Sequence, residues 1–253
     1  MAFQRYVALG DSFTEGVGDP DPTRPNGLRG WADRVAEALA VGNPDFGYAN
    51  LAIRGRKLPA IIDEQVDAAI ALGPDLVTIH GGGNDVLRPK VDLDALAARY
   101  DEAVGRLSGT GAQVVMFTIA DVADSAVFKP IRGRFAIFNE WVREIADKHD
   151  ARVVDMWRMR GWSVAEIMDE DRLHLNPVGH QSIAIEVLNT LGVAHDLQPL
   201  PPIGRPVLTP RQQRAANLAW ARTHLGPWVH RRVTGRSSGD GVEPKRPTFA
   251  PIG

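Results

Sequence analysis

Ser12 is the residue of this chain whose setting most clearly suggests chemistry. The apolar run of residues 6–9 stops at Gly10-Asp11-Ser12, so the serine directly follows a predicted buried strand. His174 lies far along the chain, and Asp171 stands three residues before it. A serine hydroxyl becomes a nucleophile when a histidine removes its proton, and a carboxylate can orient that histidine. These residues therefore predict a nucleophilic triad, provided that the two segments meet in space.

Two further positions can stabilise the negative charge that acyl transfer places on a carbonyl oxygen. Gly55 follows the second predicted strand, and Asn84 follows three glycines after the third. Backbone N–H groups and side-chain amides that are held in place are the usual donors to such an oxyanion. We predict an oxyanion hole made of the backbone N–H groups of Ser12 and Gly55 and the NH₂ group of Asn84.

Each of these features also has an ordinary structural interpretation. Gly10-Asp11-Ser12 can be a polar turn whose serine caps a helix. Asp171 and His174 can be an incidental surface pair, because the chain has seven histidines in all. Gly-Asn-Asp and Gly179-His180 resemble fragments of metallophosphoesterase sites, but the early Asp-x-His ligand pair is missing and the histidines are scattered. We expect neither a metal ion nor a cofactor.

The elements that must position these residues alternate between short apolar runs and longer amphipathic stretches. Strands that are apolar on both faces and alternate with helices predict a parallel sheet covered on both sides. The predicted strands are 6–9, 47–53, 76–80, 114–119 and 152–156, and the predicted helices include 31–39, 61–70, 93–107, 138–145 and 177–191. Five parallel strands with right-handed crossovers predict a three-layer α/β/α flavodoxin-like fold, with ligands beyond the carboxyl ends of the strands.

The composition of the chain changes near its C-terminal end. Residues 198–206 are rich in proline and predict an extended connector, and Thr209 and Pro210 predict the start of a short helix that ends near His224. The tail of residues 231–253 has five basic residues among glycine, serine and proline, and we expect it to be solvated. We therefore predict a domain of residues 1–195 and a C-terminal extension of residues 196–253.

Charge and composition exclude several classes of protein. The formal net charge of −2 argues against a nucleic-acid partner. The absence of cysteine excludes disulfides, thiolate metal sites and a cysteine nucleophile. No signal peptide is recognisable and no segment approaches the ~20 apolar residues of a membrane span, so we expect a cytoplasmic protein without a transmembrane segment.

Four short blocks, taken in order, resemble those of the SGNH hydrolase superfamily, also called GDSL-type esterases and lipases. The blocks are Gly10-Asp11-Ser12, residues 50–55, Gly82-Gly83-Asn84-Asp85 and Asp171-Arg172-Leu173-His174. The resemblance spans roughly residues 5–192, and Phe13 stands where the namesake leucine often occurs. It implies Ser12 as nucleophile, His174 as base, Asp171 as its orienting carboxylate, and Ser12, Gly55 and Asn84 as oxyanion donors, on the flavodoxin-like fold.

The expected function is that of a cofactor-free carboxylic ester hydrolase. The expected substrates have short acyl groups such as acetyl on a sugar, a lipid or a small molecule. Acyl transfer to a hydroxyl acceptor and metallophosphoesterase chemistry remain as alternatives. Four arginines follow the second and fourth strands and predict a cationic mouth that favours anionic substrates, although solvated surface is the ordinary alternative: Arg54, Arg56, Arg132 and Arg134.

Overall fold

The fold is built on one mixed sheet, seen in a computed structural model that describes residues 3–125, 127–160, 164–204 and 208–252. The strands are β1 (Arg5–Leu9), β2 (Gly47–Asn50), β3 (Leu76–Ile79), β4 (Gln113–Phe117), β5 (Arg152–Val154) and β6 (Arg246–Ala250). Their order in the sheet is β5-β4-β3-β1-β2-β6. Strands β1 to β5 are mutually parallel, and β6 pairs antiparallel with β2.

Helices lie between successive strands along the chain. They are α1 (Ser12–Glu15), α2 (Gly30–Ala40), α3 (Leu58–Ile61), α4 (Asp67–Leu72), α5 (Gly83–Val86), α6 (Leu93–Ser108), α7 (Arg132–Lys148), α8 (Val164–Ile167), α9 (Pro177–Leu191), α10 (Pro210–Trp220) and α11 (Gly226–Val233). Helices α1 to α7 lie between the parallel strands, and α8 to α11 lie between β5 and β6. Two π-helical turns, Ile62–Val66 and Ala221–Leu225, join α3 to α4 and α10 to α11. None of the helices in the described ranges combines the length and the apolar character of a membrane span.

The sheet has a separate apolar core on each face because successive strand residues point to opposite sides. Val7 and Leu9 of β1 pack with residues of α3, α6 and α7, whereas Tyr6 and Ala8 pack with residues of α2 and α9. The three layers and the five parallel strands agree with the prediction. In the order β3-β1-β2, the strands that precede Asn84, Ser12 and Gly55 are neighbours, so their carboxyl ends meet at one edge of the sheet.

The expectation of a five-stranded sheet is wrong, because the chain adds a sixth strand from its C-terminal end. In β6, Ala250 pairs with Tyr48 and Arg246 pairs with Asn50. The tail before it is therefore anchored rather than fully solvated, and Lys245 is 5% exposed. The earlier part of the extension, residues 196–204, forms neither helix nor strand, and residues 205 and 206 of the expected connector lie outside the described ranges.

Lys245 anchors the tail through a buried ion pair with Asp33 of α2. The Lys245 Nζ lies 3.0 Å from the Asp33 Oδ1, and both side chains are fully buried. Nζ also donates to the Arg29 carbonyl at 2.7 Å, and the Tyr48 hydroxyl donates to Asp33 Oδ1 at 2.8 Å. Burial raises the pKa of Asp33 and lowers the pKa of Lys245, so each charge depends on the other. Removing one partner leaves an uncompensated buried charge.

Replacement of Lys245 by alanine should therefore destabilise the whole domain. We expect Lys245→Ala to lower the free energy of unfolding by about 3–5 kcal/mol, measured by urea denaturation at pH 7. Lys90→Ala, at an exposed position, is the matched control and should change it by less than about 0.5 kcal/mol. Equal and small effects of the two substitutions would show that the tail does not stabilise the fold.

His180 of α9 links two other parts of the domain from a fully buried position. The Trp31 N–H donates to His180 Nδ1 at 3.1 Å, and His180 Nε2 contacts the Val17 carbonyl at 3.1 Å. Because Nδ1 accepts a hydrogen bond, the proton of the neutral ring lies on Nε2 and is donated to Val17. Burial lowers the pKa of His180 to about 4. The imidazole is therefore neutral near pH 7.

This depressed pKa makes the stability of the protein depend on pH. The unfolded chain binds a proton at His180 near pH 6.5, whereas the folded chain does so only near pH 4, so stability falls as the pH falls through that window. The loss attributable to His180 is about 3 kcal/mol. Between pH 7 and pH 4, the unfolding free energy of the unsubstituted protein should fall by that much more than the unfolding free energy of His180→Gln. Parallel pH curves for the two proteins would contradict this assignment.

Candidate active site

Ser12 is the first residue of α1, at the point where the chain leaves β1. Asp11 caps this helix, because its Oδ1 accepts a hydrogen bond from the Phe13 N–H at 3.1 Å. The buried side chain of Gln65 holds the turn on the other side. The Gly10 N–H donates to Gln65 Oε1 at 2.8 Å, and Gln65 Nε2 donates to the Gly10 carbonyl at 2.9 Å. The turn that presents Ser12 is thus held at both ends.

Asp171 and His174 lie in the loop between α8 and α9. Asn176 caps α9, since its Oδ1 accepts the Gly179 N–H at 3.0 Å. The amide nitrogen of the same side chain donates to the Met168 carbonyl at 3.2 Å, across the loop. Asn176 therefore ties the end of the loop to its beginning, and the short Asp171–His174 segment is held between them.

The structure brings Ser12, His174 and Asp171 together in a hydrogen-bonded chain. Ser12 Oγ lies 3.0 Å from His174 Nε2, and His174 Nδ1 lies 2.5 Å from Asp171 Oδ2. Asp171 Oδ1 accepts the backbone N–H groups of Leu173 and His174, both at 2.9 Å. The side chains of His174 and Asp171 are 21% and 20% exposed, so a small molecule can approach them.

The electrostatic setting keeps Asp171 ionised. Burial opposes ionisation of this carboxyl, but the hydrogen bond and the charge of His174, together with the two backbone N–H groups, outweigh it and hold the pKa of Asp171 well below its usual range. An anionic carboxylate on Nδ1 selects the ring tautomer that leaves Nε2 as an acceptor for the serine proton. It also stabilises the imidazolium that forms when the proton moves.

Asn84 bonds the two segments that contain the other candidate oxyanion donors, Ser12 and Gly55. Among the described residues, no acceptor is bonded to the backbone N–H groups of Ser12 and Gly55. Asn84 Nδ2 donates to Asp11 Oδ2 and to the Arg56 carbonyl, both at 3.0 Å. Asn84 thus joins the residue before Ser12 to the residue after Gly55. Because both of its amide protons have acceptors, Asn84 can bind an oxyanion only by sharing one of them.

The structure weakens the expectation of a cationic mouth, because three of the four arginines pair with carboxylates and the fourth donates to backbone carbonyls. The guanidinium of Arg54 pairs with the fully buried Glu15 at 2.5 Å, and the Arg54 N–H donates to the same carboxylate at 2.7 Å. Arg56 pairs with Glu64 at 2.8 Å, Arg132 pairs with Asp121 at 2.6 Å, and Arg134 donates to the carbonyls of Val86, Arg88 and Val91. These arginines stabilise the loops around the site.

The sequence analysis missed residues that hold the site without taking part in its chemistry. Gln65 and Glu15 are the clearest, since each is buried and bonds a backbone group of a site loop. A glutamine or glutamate in an amphipathic stretch ordinarily indicates a solvent-facing position, so the sequence contains no signal for either role. Within the described ranges, no three histidine or carboxylate side chains are grouped so that they could hold a metal ion.

Comparison with known proteins identifies the family of this chain. The profile of the GDSL-like lipase/acylhydrolase family matches residues 8–182. The chain belongs to this family. The match includes all the residues singled out above as nucleophile, base, orienting carboxylate and oxyanion donors, and it ends before the C-terminal extension. No curated protein sequence matches the chain.

Solved structures of hydrolases, two of them acetylxylan esterases, share the fold of this family member. Axe2, an acetylxylan esterase from Geobacillus stearothermophilus, is 21% identical with a TM-score of 0.62, covering 76% of this chain and 95% of its own. LAE5, an alpha/beta hydrolase enzyme from the metagenome of Lake Arreo in Spain, is 22% identical with a TM-score of 0.61, covering 75% and 95%. The acetyl xylan esterase AlAXEase is 18% identical with a TM-score of 0.59, covering 74% and 99%.

The charge of Asp171 should matter more than its size. We expect Asp171→Asn to lower kcat by about 10³–10⁴-fold, because a neutral amide neither enforces the tautomer nor stabilises the imidazolium. Hydrolysis of p-nitrophenyl acetate measures the effect. Glu170→Gln, which neutralises the adjacent exposed carboxylate, should remain within about twofold. Comparable losses in both variants would mean that general electrostatics, and not the contact with His174, accounts for the role of Asp171.

Proposed function

We propose that this member of the GDSL-like family is a serine ester hydrolase that cleaves carboxylic O-acyl esters through an acyl-enzyme on Ser12. The observation that supports this most directly is the 3.0 Å contact between Ser12 Oγ and His174 Nε2, with Asp171 on the other ring nitrogen. These atoms lie within the reach needed for transfer of a proton from nucleophile to base.

In the first half of the proposed reaction, Ser12 Oγ attacks the carbonyl carbon of the ester while His174 Nε2 takes the hydroxyl proton. The carbonyl oxygen becomes an oxyanion that receives hydrogen bonds from the N–H groups of Ser12 and Gly55 and from Asn84. Each such donor contributes about 3–4 kcal/mol to stabilisation of the transition state. His174 then gives the proton to the departing alcohol oxygen as the bond between that oxygen and the acyl carbon breaks.

In the second half, water replaces the alcohol. His174 removes a proton from water as its oxygen attacks the acyl carbon, and the same donors hold the second oxyanion. The bond from Ser12 Oγ to the acyl carbon breaks, and His174 returns the proton to the serine. Asp171 stays ionised throughout, as the low pKa of its carboxyl allows.

We propose short acyl groups, acetyl above all, as the substrate class. The turn of residues 237–240 lies directly against Gly55, with the Ser238 Oγ 2.8 Å from where a β-carbon of Gly55 would be. This turn therefore occupies the space beside Gly55, a candidate oxyanion donor. The remaining space favours small acyl groups. The names of Axe2 and AlAXEase as acetylxylan esterases support an acetylated sugar as the first natural substrate to assay.

Replacement of the nucleophile tests the proposal. Ser12→Ala should lower kcat for p-nitrophenyl acetate by about 10⁴-fold or more while leaving the thermal unfolding midpoint within a few degrees. Ser108→Ala, at the end of α6, is the control and should keep full activity. Activity of Ser12→Ala comparable to that of the unsubstituted protein would rule out the acyl-enzyme on Ser12.

The length of the acyl chain tests the proposed substrate class. We expect kcat/KM for p-nitrophenyl esters to be highest for acetate and to fall at least about tenfold by octanoate, because a longer chain meets the wall beside Gly55. Incubation with a chelator should leave these values unchanged if no metal ion takes part. A preference for octanoate would contradict the assignment to short acyl groups.

A further inference from the structure

The C-terminal extension contacts loops on two sides of the proposed site. We call residues 209–240, from the start of α10 to the turn before β6, the C-terminal strap. This segment lies beyond the residues that match the family profile. Its first contact is with the loop that contains Asp171, and its second is with the loop that contains Gly55.

The first contact is made by α10. Trp220 Nε1 donates a hydrogen bond to the backbone carbonyl of Asp171 at 3.0 Å. The guanidinium of Arg172 lies 4.8 Å from the centre of the Trp220 ring and donates to Asn217 Oδ1 at 2.9 Å. Arg172 has a φ of +58°, a conformation that is strained for a residue with a side chain. Helix α10 therefore holds the strained backbone from which the Asp171 carboxylate reaches His174.

The second contact is made by the turn of residues 237–240. A β-carbon at Gly55 would overlap the Ser237 hydroxyl and lie 2.8 Å from the Ser238 Oγ. A β-carbon at Gly239 would overlap the Arg54 carbonyl and lie 2.8 Å from the Ile53 Cγ2. The turn and the Gly55 loop therefore pack backbone to backbone, and neither Gly55 nor Gly239 has space for a side chain. Hydrogen bonds within the turn hold its shape, because the Ser237 N–H donates to Asp240 Oδ2 at 2.9 Å.

We propose that the C-terminal strap positions the catalytic machinery, with Trp220 as a positioning residue for the Asp171–His174 loop and Gly239 as the contact that positions the Gly55 amide. The strap contacts both the loop between α8 and α9 and the loop that follows β2. Displacements of about 1 Å at a site of this kind change rates by up to about 100-fold. The inference rests on the proposed ester hydrolysis for its kinetic consequences. The contacts themselves do not depend on that function.

The Trp220 contact is tested by Trp220→Phe, which removes the N–H donor and keeps an aromatic ring over Arg172. We expect kcat for p-nitrophenyl acetate to fall about tenfold, with KM within twofold and an unchanged unfolding midpoint. Trp141→Phe is the matched control, since it also removes a donated indole hydrogen bond, to Asp94 on a distant surface. An unchanged kcat in Trp220→Phe, or an equal loss in Trp141→Phe, would overturn the role of Trp220.

The contact with Gly55 is tested by Gly239→Ala. The added methyl group must push the turn away from Arg54 and Gly55, so we expect kcat to fall about 10–100-fold while KM changes less than threefold. Gly241→Ala is the matched control: it lies two residues on, at a φ of +75°, with open space around a β-carbon. It should lower the unfolding midpoint slightly and leave kcat within about twofold. Equal effects on kcat would overturn the positioning role.

Hydrogen exchange gives a readout that does not depend on turnover. Trp220→Phe should speed amide exchange at least threefold in residues 169–175, and Gly239→Ala should do so in residues 53–56, with no change in either control variant. Unchanged exchange in those loops overturns the proposed strap whether or not the protein hydrolyses esters. The Ser12→Ala assay decides the proposed function separately, so failure of one proposal is distinguishable from failure of the other.

Discussion

The candidate site depends on one hydrogen bond between parts of the chain that are far apart in sequence, the bond between Ser12 Oγ and His174 Nε2. Each partner is fixed by its own local device. Asp11 and Gln65 hold the turn on the serine side, and Asn176 holds the loop on the histidine side. A distance of 3.0 Å survives thermal motion only when both ends are attached to rigid elements, which the sheet and α9 supply.

Burial disfavours the charged form of each of the buried groups described above, and the other interactions of each group decide the outcome. At Asp171 the desolvation of the carboxyl is outweighed by hydrogen bonds, so the group stays ionised beside His174. At His180 nothing outweighs it, and the ring is neutral at pH 7. Lys245 and Asp33 lie between these two cases. Desolvation disfavours both charges, but each charge partly offsets this effect by stabilising the other. The hydrogen bonds and charges around each group thus decide whether it stays ionised against the same desolvation.

Much of the fold follows from local pattern. The five parallel strands and the helix Pro177–Leu191 lie where apolar periodicity and the Asn176-Pro177 start place them, because a strand buried on both faces and a capped amphipathic helix have clear local signatures. β6 has none: Arg246–Ala250 contains proline and polar residues, and it becomes a strand only because β2 has an unpaired edge. The burial of Lys245 could not be predicted from local sequence either, because its partner Asp33 lies more than two hundred positions earlier.

The features of the candidate site likewise divide into those set by local sequence and those set by tertiary packing. The sequence by itself determined which residue types are available for the proposed acyl transfer: Ser12, Asp171, His174, Gly55 and Asn84 are recognisable from their neighbours and their order. Only the tertiary structure decided which groups meet, which arginines are already neutralised, and that the C-terminal strap lies against the loops of the site. The physical reason is that a local motif reflects backbone conformation and side-chain chemistry over a few residues, whereas a contact across the fold depends on how whole elements pack.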